Sequence, residues 1–198
     1  TEMQQLIADM PTSALARPEK IGRATRLNDT QGRYIEFVKA SFPKHLTLEG
    51  LHIVLDCAHG AAYQVGPSIF RELGATVTVI GAEPNGFNIN QGCGSTMPET
   101  MCQMVRETGA DIGIALDGDA DRVMICDELG NVLDGDQVMA MIATSWQQSG
   151  RLQGGAVVAT VMSNMGLERY IESLGLQLKR TKVGDRYVIE EMRRGGYN

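Results

Sequence analysis

"DIGIALDGDADRVMICDELGN" (residues 111–131) decides how the rest of the chain is read. Two short apolar runs, 111–116 and 122–127, flank a turn that carries Asp117, Asp119 and Asp121 at alternate positions. Apolar runs of this length bounded by turn residues read as buried strands. In an α/β sheet, ligands bind outside the carboxyl ends of the strands. Asp117 follows the first run directly and belongs at such an end, and Gly118 lets the backbone turn there. Three uncompensated carboxylates this close would raise one another's pKa, and a divalent cation removes that cost. Oxygen-only ligands suit Mg²⁺, Mn²⁺ or Ca²⁺ rather than Zn²⁺. Three side chains leave about three of six octahedral positions for water or a phosphate oxygen.

Three other readings of the turn stand beside this one. It can be a solvated acidic loop. It can be an EF-hand, with the aspartates in the first, third and fifth places and Glu128 in the twelfth; Arg122 then occupies the place of the required glycine. It can belong to an aspartyl-nucleophile phosphatase, with Asp117 as nucleophile and Asp119 as acid. Such enzymes need a second acidic pair late in the chain, and Ile189 lies where its later member should be. Arg122 suits bidentate phosphate contact, or forms a salt bridge to one of the aspartates.

Outward from the turn, strand-like and helix-like segments alternate. "LHIVLD" (51–56), "ATVTVI" (75–80) and the two runs already quoted form a first block. "AAYQVGPSIFREL" (61–73) and "PETMCQMVRET" (98–108) are its helices, and Asp29 or Thr30 can cap an earlier one through 32–42. Gly66 and Pro67 predict a kink in the 61–73 helix. A second block follows: helix 135–148, strand 156–161, helix 166–174, strand 176–181, helix 185–194. The pattern predicts an α/β fold of two consecutive α/β domains with mixed, mostly parallel sheets. The expected boundaries are a tail and connector at 1–29, one domain at 30–131 and part of another at 132–198.

Bulk properties narrow the function classes. Charged residues are 21% of the 198 and the formal net charge is −6, which argues against a nucleic-acid surface. No apolar run approaches the roughly 18 residues of a membrane span. Cys57, Cys93, Cys102 and Cys126 show no CxxC pairing and read as reduced structural thiols of a cytoplasmic protein. No signal peptide is visible. Starting at Thr1 and ending in "RRGGYN", the chain is expected to be a piece of a longer one. Ser163 and Asn164 follow a strand and can cap a helix or meet a ligand. Lys182, Asp185 and Arg186 lie at a strand-to-helix junction, where Asp185 can equally be an N-cap. His59 reads as a turn residue. "GCGST" (92–96) lacks the lysine of a P-loop.

"DGDADR" (117–122) resembles the metal-binding loop of the α-D-phosphohexomutases. Further pieces agree in order with the bacterial branch that acts on glucosamine phosphates: "GRYIEFVK" (32–39), "VLDCAHGAAY" (54–63), "PNGFNIN…GSTMPE" (84–99), "DGDQVM" (134–139), "TVMSNMGLE" (160–168) and "TKVGDRYVIEEM" (181–192). The resemblance implies a four-domain enzyme that moves a phosphoryl group between the 1- and 6-positions of a hexose phosphate. It implies a phosphoserine donor and Mg²⁺ held by Asp117, Asp119, Asp121 and that phosphoserine, with Arg122 facing the phosphate. Ser163, Asn164, Lys182, Asp185 and Arg186 would face the phosphosugar substrate. No serine here has the expected Ser-His-Asn-Pro context, so the phosphoserine, the sugar-specificity loop and the last domain would lie in missing domains of the same protein. The piece alone would not catalyse, and a homodimer stays open.

Overall fold

Val54 and Leu55 have no exposed surface, and the first sheet builds outward from the strand that carries them, β1 (His52–Asp56). The computed structural model describes residues 2–11, 15–27 and 29–198. Ser13 and Asn28, which sequence reading placed in the connector, lie outside the described residues. β2 (Thr76–Ile80) and β3 (Ile112–Leu116) flank β1 in parallel, β4 (Val123–Cys126) runs antiparallel to β3, and β5 (Val132–Leu133) antiparallel to β4. The order is β2-β1-β3-β4-β5. A second sheet pairs β6 (Ala156–Thr160) in parallel with β7 (Gln177–Thr181). The expected mixed, mostly parallel α/β arrangement is present.

Register positions the turn of interest. Asp56 stands opposite Ala115, so β1 and β3 end side by side. Leu116 pairs with Val123, which makes residues 117–122 the loop of a β-hairpin. A hairpin between β3 and β4 excludes the helix–loop–helix of an EF-hand. β5 was not expected: two residues are too short to show a period. It carries the first sheet two residues past the boundary expected at 131.

α1 (Glu2–Ala8) buries none of its residues, α2 (Thr30–Lys39) packs on α3 (Val65–Glu72), and α3 and α4 (Glu99–Thr108) pack on the first sheet. Met101, Cys102 and Val105 of α4 pack with Val54, Ala115 and Cys126 into one core. α4 ends on Gly109, whose left-handed φ of 64° closes the helix. The single helix expected over 61–73 is instead a 3-10 turn at Ala61–Tyr63 followed by α3. Pro67 then falls in the first turn of α3, where a missing N–H costs nothing. Asp29 precedes α2 but does not cap it, because its carboxylate pairs with Arg33 at 2.7 Å.

α5 (Gly135–Gln148), α6 (Met165–Ser173) and α7 (Asp185–Gly195) cover the second sheet. Ala143, Ala159, Leu167, Ile171 and Leu176 form its core. Asp134 and Gln137 make a reciprocal capping box on α5, and Asn164 Oδ1 accepts from Leu167 N at 2.9 Å to cap α6. No helix among the described residues is long and apolar enough to cross a membrane.

All four cysteines are buried and free. Burial, with the charge of Asp56 beside it, pushes the Cys57 thiol up to about 12. Burial and the neighbouring Cys102 push Cys126 to about 12. Only the thiolate is nucleophilic. Iodoacetamide at pH 8 should therefore leave Cys57 and Cys126 unmodified in the native protein and label both after unfolding in urea. Peptide mass spectrometry reads this directly, and fast native labelling of either residue would contradict the burial argument.

Candidate metal centre

The hairpin loop has to hold three carboxylates on six residues. Asp117 sits at the foot, buried at 2% exposure, while Asp119 and Asp121 are exposed. One oxygen from each lies within 4.8 Å of the others. Ala120 takes a left-handed φ of 62° and Ala120 N donates to Asp117 O at 3.1 Å, which tightens the turn. Arg122 closes the loop twice: its backbone N donates to Asp117 Oδ1 at 3.1 Å and its Nε to Oδ2 at 2.9 Å. Arg122 Nε also stands 3.8 Å from Asp121 Oδ1. The salt-bridge reading of Arg122 is therefore present in the structure. The side chain remains 67% exposed, and its terminal nitrogens have no hydrogen-bond partner among the described residues.

The carboxyls respond unequally. Burial works to raise Asp117, but the hydrogen bonds and charge of Arg122 together outweigh it and hold that carboxyl below its ordinary value. Asp121 is pushed up, first by the charge of Asp119, then by desolvation and by Asp117. The pH linkage follows with opposite signs. Asp117 favours the folded state above the ordinary carboxyl range, a contribution lost as pH falls through its lowered value. Asp121 opposes folding in the same range, and acid relieves it.

Neighbouring loops brace the hairpin through its backbone. Ala61 N donates to Gly118 O at 2.8 Å and Ser95 N to Leu116 O at 2.9 Å, so the carbonyls on both sides of Asp117 are held. A Cβ on Gly60 would lie 2.2 Å from Gly118 O, a contact only glycine permits. Ile89 packs against Gly118 from the other side. Asp56, fully buried at the end of β1, accepts from Ala58 N at 2.9 Å and from Gly94 N at 2.8 Å. Asp56 and Gly60 were not among the residues singled out from sequence. The available signal was an acidic residue ending an apolar strand before a run of small residues, "VLDCAHG". His59 is a turn residue, at φ 49°, and its Nδ1 accepts from Glu83 N at 3.1 Å.

The donor set fits a hard divalent cation. All three donors are carboxylate oxygens, and their grouping is close to the roughly 3–4 Å that separates oxygens bound to one ion at about 2.1 Å. A cleft of about 320 Å³ opens beside Asp119 and Ala120, walled by Thr30, Gln31, Tyr34 and Val65. That is enough for a small ligand or an inserted loop.

The five residues expected to face substrate lie past the ends of β6 and β7, in the loops and at the start of α7, and no hydrogen bond or ion pair joins them to the triad among the described residues. Asn164 caps α6, as one of its two readings held. Ser163 is half-buried, and its carbonyl accepts from Arg180 Nη1 at 2.7 Å. Lys182 Nζ stands 5.9 Å from the centre of the Tyr187 ring. Arg186 Nε pairs with Glu190 at 2.7 Å on the outside of α7. Asp185 does not cap α7: Gly184, at φ 130°, takes the cap position, and Asp185 becomes the first helical residue, where its charge suits the helix dipole.

The close approach at Gly60 and the crowding at Asp121 each give a measurable outcome. Gly60→Ala should cost about 1–3 kcal/mol or more by forcing two backbones apart. Gly32→Ala on α2, with no atom near its Cβ position, should gain up to about 1 kcal/mol. Urea denaturation of both variants tests the pair, and a neutral Gly60→Ala would refute the contact. In a carbon-13 NMR titration, Asp119→Asn should bring the Asp121 carboxyl down toward its ordinary range; an unmoved Asp121 would rule out Asp119 as the cause.

The alpha/beta/alpha domain II model of the phosphoglucomutase/phosphomannomutase family matches residues 32–130, and its domain III model matches 134–198. A protein of Phenylobacterium zucineum named phosphoglucosamine mutase is 59% identical over 197 residues, covering 100% of this chain and 44% of its own length. A protein of the same name from Caulobacter vibrioides is 61% identical over 184 residues, 93% of this chain and 41% of its own length. The chain thus spans less than half the length of these curated relatives. Among solved structures, a phosphoglucomutase/phosphomannomutase family protein of Burkholderia thailandensis superposes with a TM-score of 0.73 at 22% identity, over 84% of this chain and 36% of its own. An N-acetylphosphoglucosamine mutase of Aspergillus fumigatus, solved with glucose 1,6-bisphosphate, gives 0.61 at 20%, over 83% and 33%. At these identities the structures bear on the fold alone.

Proposed function

Because the chain belongs to the phosphoglucomutase/phosphomannomutase family, we propose that it is the middle of a phosphoglucosamine mutase. The intact protein would interconvert glucosamine 6-phosphate and glucosamine 1-phosphate. In this reading residues 1–29 are the tail of a first domain, 30–131 a second domain and 132–198 the first part of a third. The observation that carries it is an acidic triad on a hairpin loop, within a chain 59–61% identical to proteins of that name.

The chemistry is two phosphoryl transfers. A phosphoserine outside this chain gives its phosphoryl group to the free hydroxyl of the sugar, leaving serine and a bisphosphate. After the sugar turns over, the other phosphoryl group returns to the serine. Mg²⁺, held by Asp117, Asp119 and Asp121, would neutralise charge on the phosphoryl group in transfer when bound. Asp117 is already held ionised by Arg122. Arg122 itself keeps terminal nitrogens for a phosphate oxygen, and Arg is suited to that fork. Asp119 lines the cleft beside the loop, which gives a donor segment from another domain a place to enter. Ser163, Asn164, Lys182, Asp185 and Arg186 would meet the sugar phosphate from the second sheet.

The test is turnover by the intact protein with Mg²⁺, comparing glucosamine, glucose and mannose 6-phosphates. Glucosamine 6-phosphate should be converted fastest, and preference for glucose or mannose would move the protein to another branch of the family. Changing residues around a metal's ligands costs roughly 10–100-fold, so losing a ligand outright in Asp119→Ala should lower turnover by more than about 100-fold. Full activity in that variant would refute the ligand assignment.

A further inference from the structure

Asp56 spends both carboxylate oxygens on backbone N–H groups in two different loops. Oδ1 takes Ala58 N at 2.9 Å, in the loop after β1, and Oδ2 takes Gly94 N at 2.8 Å, 38 residues on. Further along each loop, one residue past Gly94 and three past Ala58, a backbone N–H reaches the hairpin. Ser95 N holds Leu116 O at 2.9 Å, and Ala61 N, just past Gly60, holds Gly118 O at 2.8 Å. Leu116 and Gly118 bracket Asp117. A Cβ on Gly81 would lie 2.4 Å from Asp56 Oδ1, so the chain closes over this carboxylate on a third side. Asp56 is fully buried and lies outside the acidic group, so it is not itself a ligand.

We propose that Asp56 is a positioning residue for the metal centre: it ties together the two loops that fix the backbone on either side of Asp117, and so sets the affinity of the triad for its cation. The proposal rests on the metal reading given above. Preassembly is what a charged anchor can supply here. Asp119 and Asp121 repel each other and would drift apart on a slack loop, so part of the binding energy would go into regathering them. A carboxylate shared between two loops removes that slack, since hydrogen bonds to a charged acceptor are the stronger kind. An amide at the same place keeps one acceptor and turns an N–H₂ toward a backbone N–H, so one loop is released.

The experiment is Mn²⁺ titration of the intact protein, followed by electron paramagnetic resonance of the free ion. Asp56→Asn is compared with Val105→Ala, a fully buried core change in α4, at a temperature where circular dichroism shows all three proteins folded. Asp56→Asn should raise the Mn²⁺ Kd by about 10–100-fold. Val105→Ala should lower the melting temperature and leave Kd where the parent has it. An unchanged Kd in Asp56→Asn, or an equal loss in Val105→Ala, overturns the positioning role while leaving the metal reading intact. A parent protein that binds no Mn²⁺ overturns both. Should Asp56→Asn not fold, hydrogen exchange in the parent decides: Mg²⁺ should slow exchange at the amides of Ala61, Gly94 and Ser95, and unchanged rates there overturn the proposal.

Discussion

Everything at the carboxyl edge of the first sheet depends on how closely two stretches of backbone approach at Gly60 and Gly118. A side chain at residue 60 would overlap the Gly118 carbonyl. Without that approach, Ala61 N could not reach Gly118 O, and the turn that carries the aspartates would lose the bond that orients it. The demand travels backward through the chain. β1 and β3 must end together, which their parallel register provides. The loop after β1 must double back at once, which the left-handed φ of Ala58 and His59 provides. Backbone strain of this kind persists only where the surroundings over-determine it, and here Ala58 N donates to Asp56 Oδ1, Asn90 N to Ala58 O and His59 N to Gly81 O.

What could be read from sequence was whatever repeats or crowds. Short strand-like runs marked β1, β2, β3, β4, β6 and β7 to within a residue or two, because most residues of each are buried or half-buried. The triad was legible because three carboxylates in five residues need a compensating partner. Contacts between distant segments left no such mark. Asp56 is one aspartate among many until β3 is folded beside it and Gly94 arrives from 38 residues away. Asp29 and Asp185 both suggested caps by position, and each lost to a local competitor: Arg33 took the first carboxylate, and Gly184 took the cap position from the second. The 61–73 segment kept its helical period but began with a 3-10 turn, in which Tyr63 N donates to Gly60 O while Ala61 N donates to Gly118 O.

Arg122 explains why the triad is not three equivalent acids. It gives two hydrogen bonds to one carboxylate and only a longer approach to another. Asp117 is thereby kept ionised in spite of its burial, while Asp121 carries the repulsion that Arg122 leaves uncompensated. A cation that bound the loop would meet one oxygen set already charged and fixed, and two exposed side chains that would gain most from its charge. The same arginine can then turn its unpaired terminal nitrogens toward an anion, because its hold on Asp117 needs only Nε and the backbone. One residue thus serves the loop's structure and offers positive charge beside it.

The second sheet holds its own loop in a way that mirrors the first with the charge reversed. Arg180 on β7 donates to Ser163 O at 2.7 Å and to Glu168 Oε2 at 2.9 Å, with longer contacts at 3.5 Å to Thr160 O and Asn164 O. Asp136, at the start of α5, takes Asn164 N at 2.7 Å. The loop after β6 is therefore held by its carbonyls and by an amide, as the hairpin is held by Leu116 O and Gly118 O. In both places charged side chains are spent on backbone rather than on ligand. Each loop is thus restrained through its backbone, while Asn164 also caps α6 and Asp117 also pairs with Arg122. Both sheets gather such braced loops at the carboxyl ends of parallel strands, where backbone dipoles and loop side chains converge and where α/β folds place their chemistry.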